Sequence, residues 1–469
     1  MQPPLGYTSL GKLVRSANRI HTATICLAVA LGAIAAQIRQ GDPATEWKRS
    51  KPDVTVYLPK QNGLNDGDNE HFLVFESPKG DLLAMWTQSS IEGNGDNHIM
   101  LARSTDGKTW APPIKIAGPG PNEQIPETSW GFPIVSKQGR IYCFYAQDSS
   151  QRGANGRALK MNDIGVVYSD DDGRTWKRGA DVPWPKVPEY DHPTGLGSVW
   201  NWIVYQKPIR DSKGRWVVGY SYLVSPEQRK DHPPGWWVND SGVKFMRFEN
   251  IDEGPDPKDL RIRHLMLPGK GLTVPSGLRP DLSDCEEPSL VLLPDRRLFV
   301  TMRTTTGYIY YSVSSDDGET WRKPEVLRTG DGGEPLPSPK APSPIYAMKD
   351  GRYLLLYFNN AGTLGAYSQY APLEVWKATG NQWNHIRHPA YLALGEFRPK
   401  AHQPIWFGSP KVFADTDGVF IGPKKTSEIA TYTSFTEFDG QRTLWYPDRK
   451  YYLLGKFITD EWLSGMAPR

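Results

Sequence analysis

Short runs of apolar and polar residues in alternation, broken by turns rich in Gly, Asp and Pro, fill most of this chain. Such runs, too short for helices and closely spaced, predict β-strands joined as hairpins. Six hairpins can be read: "HFLVFESPKGDLLAMWTQ", "GFPIVSKQGRIYCFYAQD", "NWIVYQKPIRDSKGRWVVGYSYLV", "EPSLVLLPDRRLFVTMRT", "SPIYAMKDGRYLLLYFNN" and "SPKVFADTDGVFIGP". Three are followed by another strand that runs into a polar turn: "HIMLARSTDGKTW", "IGVVYSDDDGRTW" and "YIYYSVSSDDGETW". In the third and fifth units the later strands are weaker, near "GVKFMRFEN" and "LEVWKATGNQW". In the sixth, "ATYTSFTE" and "RTLWYPDRKYYLLGK" take those places.

Repeated units of about four strands are the signature of propeller blades. One blade cannot bury both its faces, so six predict a closed ring and an all-β fold, a six-bladed β-propeller. The ring is expected to span residues 62–469 as a single domain. Composition agrees with this. With 45 Gly, 41 Pro, 17 Trp and 22 Tyr, the chain has many turns and many flat side chains. Aromatic rings fill cores, and they also stack on the C–H faces of sugars. A formal charge of +3 with no Lys/Arg run argues against a nucleic-acid surface.

The first residues differ from the rest. Lys12, Arg15 and Arg19 precede the apolar run "TATICLAVALGAIAA", and Ala33, Ile34 and Ala35 resemble a cleavage site. This reads as a signal peptide over 1–36, followed by a linker or N-terminal arm over 37–61. The run is short for a membrane span. The expectation is a secreted or periplasmic protein, monomeric and free of the membrane once the signal is removed. Cleavage would leave two cysteines, Cys143 and Cys285. Cys143 lies in a strand pattern and reads as a buried thiol, with a disulfide between the two as the alternative. There is no CxxC or HExxH, so no metal or other cofactor is expected.

The repeated polar turn has a physical logic of its own. In S-x-D-x-G-x-T-W the Asp accepts backbone N–H groups across a tight turn, Gly supplies an unusual dihedral, and Trp packs back on its blade. The first copy, Ser104 to Trp110, is one residue shorter between Asp106 and Gly107 and predicts a tighter turn. None of these tasks requires a side chain in a cleft.

These turns resemble the Asp boxes, or BNR repeats, of the sialidase (neuraminidase) superfamily, whose fold is a six-bladed propeller. Within that resemblance "EPSLVLLPDRRLFVTMR" is similar to the hairpin that carries a catalytic Glu and the second Arg of a carboxylate-binding triad. The resemblance implies Glu287 as the group that activates a Tyr nucleophile and Arg303 as a substrate-binding residue. "YTSFTEFDG" is similar to the family's nucleophile segment and nominates Tyr432, although a sixth hairpin starting at "SPKVFADTDG" would push it onto an outer strand. The loop "WTQSSIEGNGDNHIM" offers Glu92 and Asp96 as general acids. In the family a neutral phenol spares an anionic substrate from facing a charged nucleophile.

Two positions depart from the family pattern. Where its first triad Arg is expected the chain has "NEHFLVF", so Glu70 or His71 stands there; a Glu would repel a carboxylate, whereas a protonated His would attract one. For the third Arg only Arg398 offers itself. If each inner strand starts at the axis, Trp130, Trp202, Glu286 and His402 join the substrate-binding candidates, with Gln88, Gln206 and Lys207 nearby. The resulting expectation is a secreted sialidase-like glycoside hydrolase of the exo-alpha-sialidase type, releasing a terminal sugar, acidic sugars included, from a glycan. The alternatives are a polysaccharide lyase using His71, His402 and Tyr432, and a glycan-binding propeller without catalysis.

Overall fold

Six antiparallel sheets follow one another along the chain in the computed structural model, which describes residues 39–60, 66–92, 94–119, 127–148, 161–185, 202–224, 240–276, 280–361 and 386–468. The expected signal segment, Cys26 and the stretch "LEVWKATGNQW" lie outside the described residues. Blade one pairs Asp68–Glu76, Leu82–Ser89, His98–Ser104 and Ile114–Ala117 in chain order. Blade two is Thr128–Val135, Ile141–Asp148 and Met161–Ser169, with a split outer edge. Blade three has a split inner edge, then Trp216–Leu223, Ser241–Phe248 and Ile262–Leu265. Blade four is Cys285–Leu292, Leu298–Thr304, Tyr310–Ser314 and Glu325–Val326.

Blades five and six depart from the sequence expectation. Blade five is Ile345–Ala347, Tyr353–Tyr357 and Ala390–Phe397, and both Ile405–Phe407 and Lys411–Ala414 pair with its third strand. "SPKVFADTDGVFIGP" is therefore not the sixth hairpin: its first half edges blade five, and Val419–Phe420 pairs with Arg39–Gln40. Blade six begins at Ser434–Phe438, continues through Gln441–Asp448 and Tyr452–Phe457, and takes its outer strand, Val54–Tyr57, from the other end of the chain. That strand lies within the segment read as a linker or arm, and it closes the ring.

The apolar faces are shared between blades. Phe132 and Phe144 of blade two pack with Val218, Tyr220 and Phe248 of blade three. Leu354 and Leu392 of blade five pack with Leu444 and Leu454 of blade six. Val54, Leu453 and Trp445 join Val74 and Trp86 of blade one. Removing one such large side chain costs about 3–5 kcal/mol, because both neighbours lose their contacts. Cys143 and Cys285 are free, buried thiols, which settles against a bridge between them.

Because neighbouring strands run antiparallel, inner-strand starts and second-to-third links share one end of the ring. The third-to-fourth turns, which hold the Asp boxes, share the other. In two boxes the key Asp accepts from Ser and Thr: Asp171 from Ser169 Oγ at 2.8 Å and Thr175 N at 2.8 Å, and Asp316 from Ser314 Oγ at 2.8 Å and Thr320 N at 2.9 Å. Gly173 and Gly318 sit at φ 80° and 88°, where a side chain would be strained. The next Asp reaches the preceding blade. Asp172 accepts from Lys79 N at 3.0 Å and pairs with Arg103 at 2.9 Å; Asp317 accepts from Ser212 N at 3.1 Å. The short first copy lacks this residue and keeps only the turn, with Asp106 bonded to Ser104 at 3.0 Å and Thr109 N at 2.7 Å. The repeated motif thus folds turns and links blades.

Candidate active site

Four side chains reach the axis through one backbone device. His71, Trp130 and Glu287 each sit in a β-bulge near the start of an inner strand, at φ 52°, 55° and 46°. Tyr432, just before the inner strand of blade six, has φ 68°. Such dihedrals are costly for L residues and persist where the surroundings hold them. Here a hydroxyl of the preceding blade does so twice: Trp130 N donates to Thr87 Oγ1 at 2.9 Å, and Glu287 N donates to Ser221 Oγ at 2.7 Å. Bulges re-aim side chains, and these turn His71, Trp130 and Glu287 toward one place.

Tyr432 and Glu287 meet there. The phenol donates to Glu287 Oε1 at 2.9 Å, and Arg303 Nη1 donates to the same oxygen at 2.5 Å. All three are buried, with Glu287 4 %, Arg303 6 % and Tyr432 7 % exposed. Glu287 Oε2 and Arg303 Nε have no hydrogen-bond partner among the described residues. Burial, then the Glu287 charge, push the Tyr432 phenol up, while Lys450, Arg303 and Arg387 pull the other way. Lys450 Nζ lies 5.2 Å from the Tyr432 ring centre, and the His71 ring lies tilted against Tyr432 at 4.3 Å, with Trp130 edge-on to His71 at 5.6 Å.

Around this centre runs a belt of ion pairs. Arg303 reaches Glu286 at 3.7 Å, and Lys340 bridges Glu286 at 3.7 Å and Asp284 at 2.8 Å. Arg387 pairs with Glu428 at 2.7 Å and donates to the Lys340 carbonyl at 2.8 Å. Lys450 joins Glu70 at 2.5 Å and Glu92 at 2.7 Å, and Lys424 also binds Glu92. Burial, the largest single effect, raises Glu70, but the neighbouring charges, Lys450 first, and the Lys450 hydrogen bond together outweigh it and bring its carboxyl down to about 2. Asp68, with burial and the Glu70 charge acting together, is pushed up to about 7. Burial pushes Asp284 up to about 6.

Burial likewise pushes His71 down to about 3, against the pull of Glu70, whose Oε1 lies 3.5 Å from Nδ1. The imidazole is neutral at neutral pH, so His71 does not supply the positive charge that a protonated His would offer a carboxylate. Glu92 is held by two lysines rather than free. Asp96 lies in the same loop, at the same end; its Oδ2 accepts from Ser90 N at 3.1 Å, and its Oδ1 is buried without a hydrogen-bond partner among the described residues.

Other candidates fall elsewhere. Arg398 pairs with Glu396 at 3.1 Å in a turn at the Asp-box end of blade five, and so is not a third binding Arg for this site. His402 is exposed and bonds Glu325 at 2.8 Å on the outer edges of blades four and five. Trp202 is fully buried and stacks on Trp184 at 5.0 Å as part of the core. Gln88 donates to Asn69 Oδ1 at 2.8 Å beneath the first bulge. Gln206 and Lys207 are structural: they donate to the Thr433 carbonyl at 2.9 Å and the Val74 carbonyl at 2.6 Å. A cavity of about 370 Å³, lined in part by Lys207, Trp216 and Phe435, opens at the opposite end and holds none of this chemistry. Among the described residues no cluster of His, Cys, Asp and Glu could hold a metal ion.

Sequence reading missed Lys450, Lys340, Arg387, Glu428 and Lys424. They lie in turns and links, where charged residues look like solvated surface; only the blade register shows that these turns face the axis.

The geometry matches known folds. Similar solved structures include a Dyadobacter fermentans protein of unknown function, at 15% identity and TM-score 0.55, covering 87% of this chain and 97% of that one. The NanB sialidase of Streptococcus pneumoniae matches at 12% and 0.54, covering 87% and 70%. The intramolecular trans-sialidase of Ruminococcus gnavus matches at 13% and 0.52, covering 86% and 98%. At such identities the likeness is one of fold. No curated protein matches the chain. The BNR repeat-like domain family matches residues 80–393. With that match over most of its length and six blades closed in a ring, the chain belongs to the BNR repeat-like domain family.

Proposed function

We propose that this protein is a sialidase-like glycoside hydrolase whose nucleophile is Tyr432. The observation that carries this reading is the buried hydrogen bond from the Tyr432 phenol to Glu287 Oε1 at 2.9 Å. A phenol is a weak nucleophile until a neighbouring base takes its proton. As Tyr432 Oη bonds to the anomeric carbon, its proton passes to Glu287 and the glycosidic C–O bond breaks. Asp96 protonates the leaving oxygen. Water, losing its proton to Asp96, then attacks the same carbon, and the phenol leaves with the proton returned by Glu287. Two displacements give retention at that carbon. Arg303 keeps a compensating charge beside the base and fixes its orientation.

In this reading the protein acts on a glycan outside the cytoplasm, as secreted or periplasmic, which the basic and apolar N-terminal pattern supports. The test is release of free sugar from a panel of glycans, followed by chromatography. Wild type is expected to release sugar, and Tyr432→Phe and Glu287→Gln to release less than about a thousandth as much, with unchanged circular dichroism. Equal release by the folded variants would overturn the assignment.

A further inference from the structure

The groups around Tyr432 bear on which sugar fits. Glu70 stands at the head of the first inner strand, 4 % exposed and ionised, with neutral His71 beside it. Lys450 closes on Glu70 at 2.5 Å and Glu92 at 2.7 Å, and Arg387 on Glu428 at 2.7 Å. Arg303 and Lys340 are likewise closed onto carboxylates of the chain. A ligand carboxylate entering here would find, among the described residues, only Arg303 Nε and Arg387 Nε without a partner, on guanidiniums already paired with Glu287 and Glu428, and the Lys450 beside Tyr432 is already closed onto Glu70. Separating such a buried pair is strongly unfavourable. Sugar hydroxyls need no such separation, because they can donate to carboxylate oxygens that still lack partners, such as Glu287 Oε2. A phenol nucleophile is neutral until Glu287 takes its proton, so it does not itself demand an anionic substrate.

We propose that the subsite in front of Tyr432 accepts an uncharged glycoside and discriminates against a sugar carrying a carboxylate at the reacting carbon, with Glu70 as the specificity-determining residue. This rests on the hydrolase reading for the identity of the site, but it concerns binding, so it can be tested apart from turnover. The probes are 2-deoxy-2,3-didehydro-N-acetylneuraminic acid and its methyl ester, which differ in one charge, together with a panel of uncharged methyl glycosides. Binding is measured by calorimetry at pH 7 on full-length wild type and on Tyr432→Phe.

The expected result is an acid bound at least about tenfold more weakly than its ester, with at least one uncharged glycoside bound. In Glu70→Gln, which keeps the shape, the gap between acid and ester should narrow about tenfold. An acid bound as tightly as the ester, or no binding of any uncharged glycoside, overturns the proposal. If Glu70→Gln does not fold, the comparison on wild type alone decides. Selective binding without turnover would sink the hydrolase reading and leave this one standing.

Discussion

Tyr432 Oη and Arg303 Nη1 donate to one and the same oxygen, Oε1 of Glu287, at 2.9 and 2.5 Å. The shared acceptor fixes the base between its nucleophile and its counter-charge. Arg303→Met should lower kcat by about a hundredfold or more, since removing one partner leaves a buried carboxylate uncompensated. Arg303→Lys should recover part of that loss, because it restores charge but not the planar fork. Steady-state kinetics of both variants check this; equal loss would show that charge is not what Arg303 supplies.

The neutral His71 makes a pH prediction with a definite sign. Its folded value near 3 lies below the ordinary 6.5, so the unfolded chain binds the extra proton first as pH falls. The His71 contribution to stability should therefore drop as pH falls from about 6.5 toward 3, by up to about 1.4 kcal/mol per pH unit. The groups facing it act in the same window: Glu70, lowered to about 2, adds to the loss below about 4.5, and Asp68, raised to about 7, opposes it. Urea denaturation of His71→Gln across pH 4–7 should show stability that falls less toward acid than in wild type, or rises toward acid where Asp68 alone sets the slope. An unchanged slope would contradict a buried neutral imidazole.

The links between blades can be separated from the turns that carry them. Asp172 is 3 % exposed and holds both Lys79 N and Arg103, across the gap between blades two and one. Asp172→Ala should cost about 2–4 kcal/mol of stability, because Arg103 loses a partner and a backbone donor is left unbonded. The measurement is a shift in the denaturation midpoint at unchanged slope. A cost under about 0.5 kcal/mol would show that the contact does not tie the blades together.

Ring closure predicts an abrupt truncation boundary. Val54 and Val56 are buried against neighbours in blades six and one, and Val54–Tyr57 is the outer strand of blade six. Compared with a protein that starts at residue 39, one that starts at residue 59 should melt about 10 °C or more lower or fail to fold, since the edge strand and its apolar contacts go together. Calorimetry of the two truncated proteins checks this.

Much of this was legible in the chain. The hairpin from Glu287 to Arg303 reads from alternation and turn alone, and the register places both ends at the axis. Tyr432 was legible by its segment, yet the false hairpin at "SPKVFADTDG" put its position in doubt. The reason is topological: the true outer strand of blade six, Val54–Tyr57, is remote in sequence, and local pattern cannot reveal a partner from the other end. Lys450 was hidden for another reason. It sits at φ 51° in the turn after Asp448, where a charged residue normally faces water, but the fold buries it to 3 % exposure against Glu70. His402 and Arg398 failed because apparent nearness to an inner strand depended on the misplaced sixth blade.

The most direct measurement is to find the atom that carries the sugar during turnover. A substrate from the glycan panel, converted to its activated fluoro-sugar so that the second displacement is slow, is incubated with wild type, and the digested protein is read by peptide mass spectrometry. The expected result is a single glycosyl adduct on Tyr432, absent in Tyr432→Phe. An adduct on Glu287 or another carboxylate, or turnover retained by Tyr432→Phe, would contradict it.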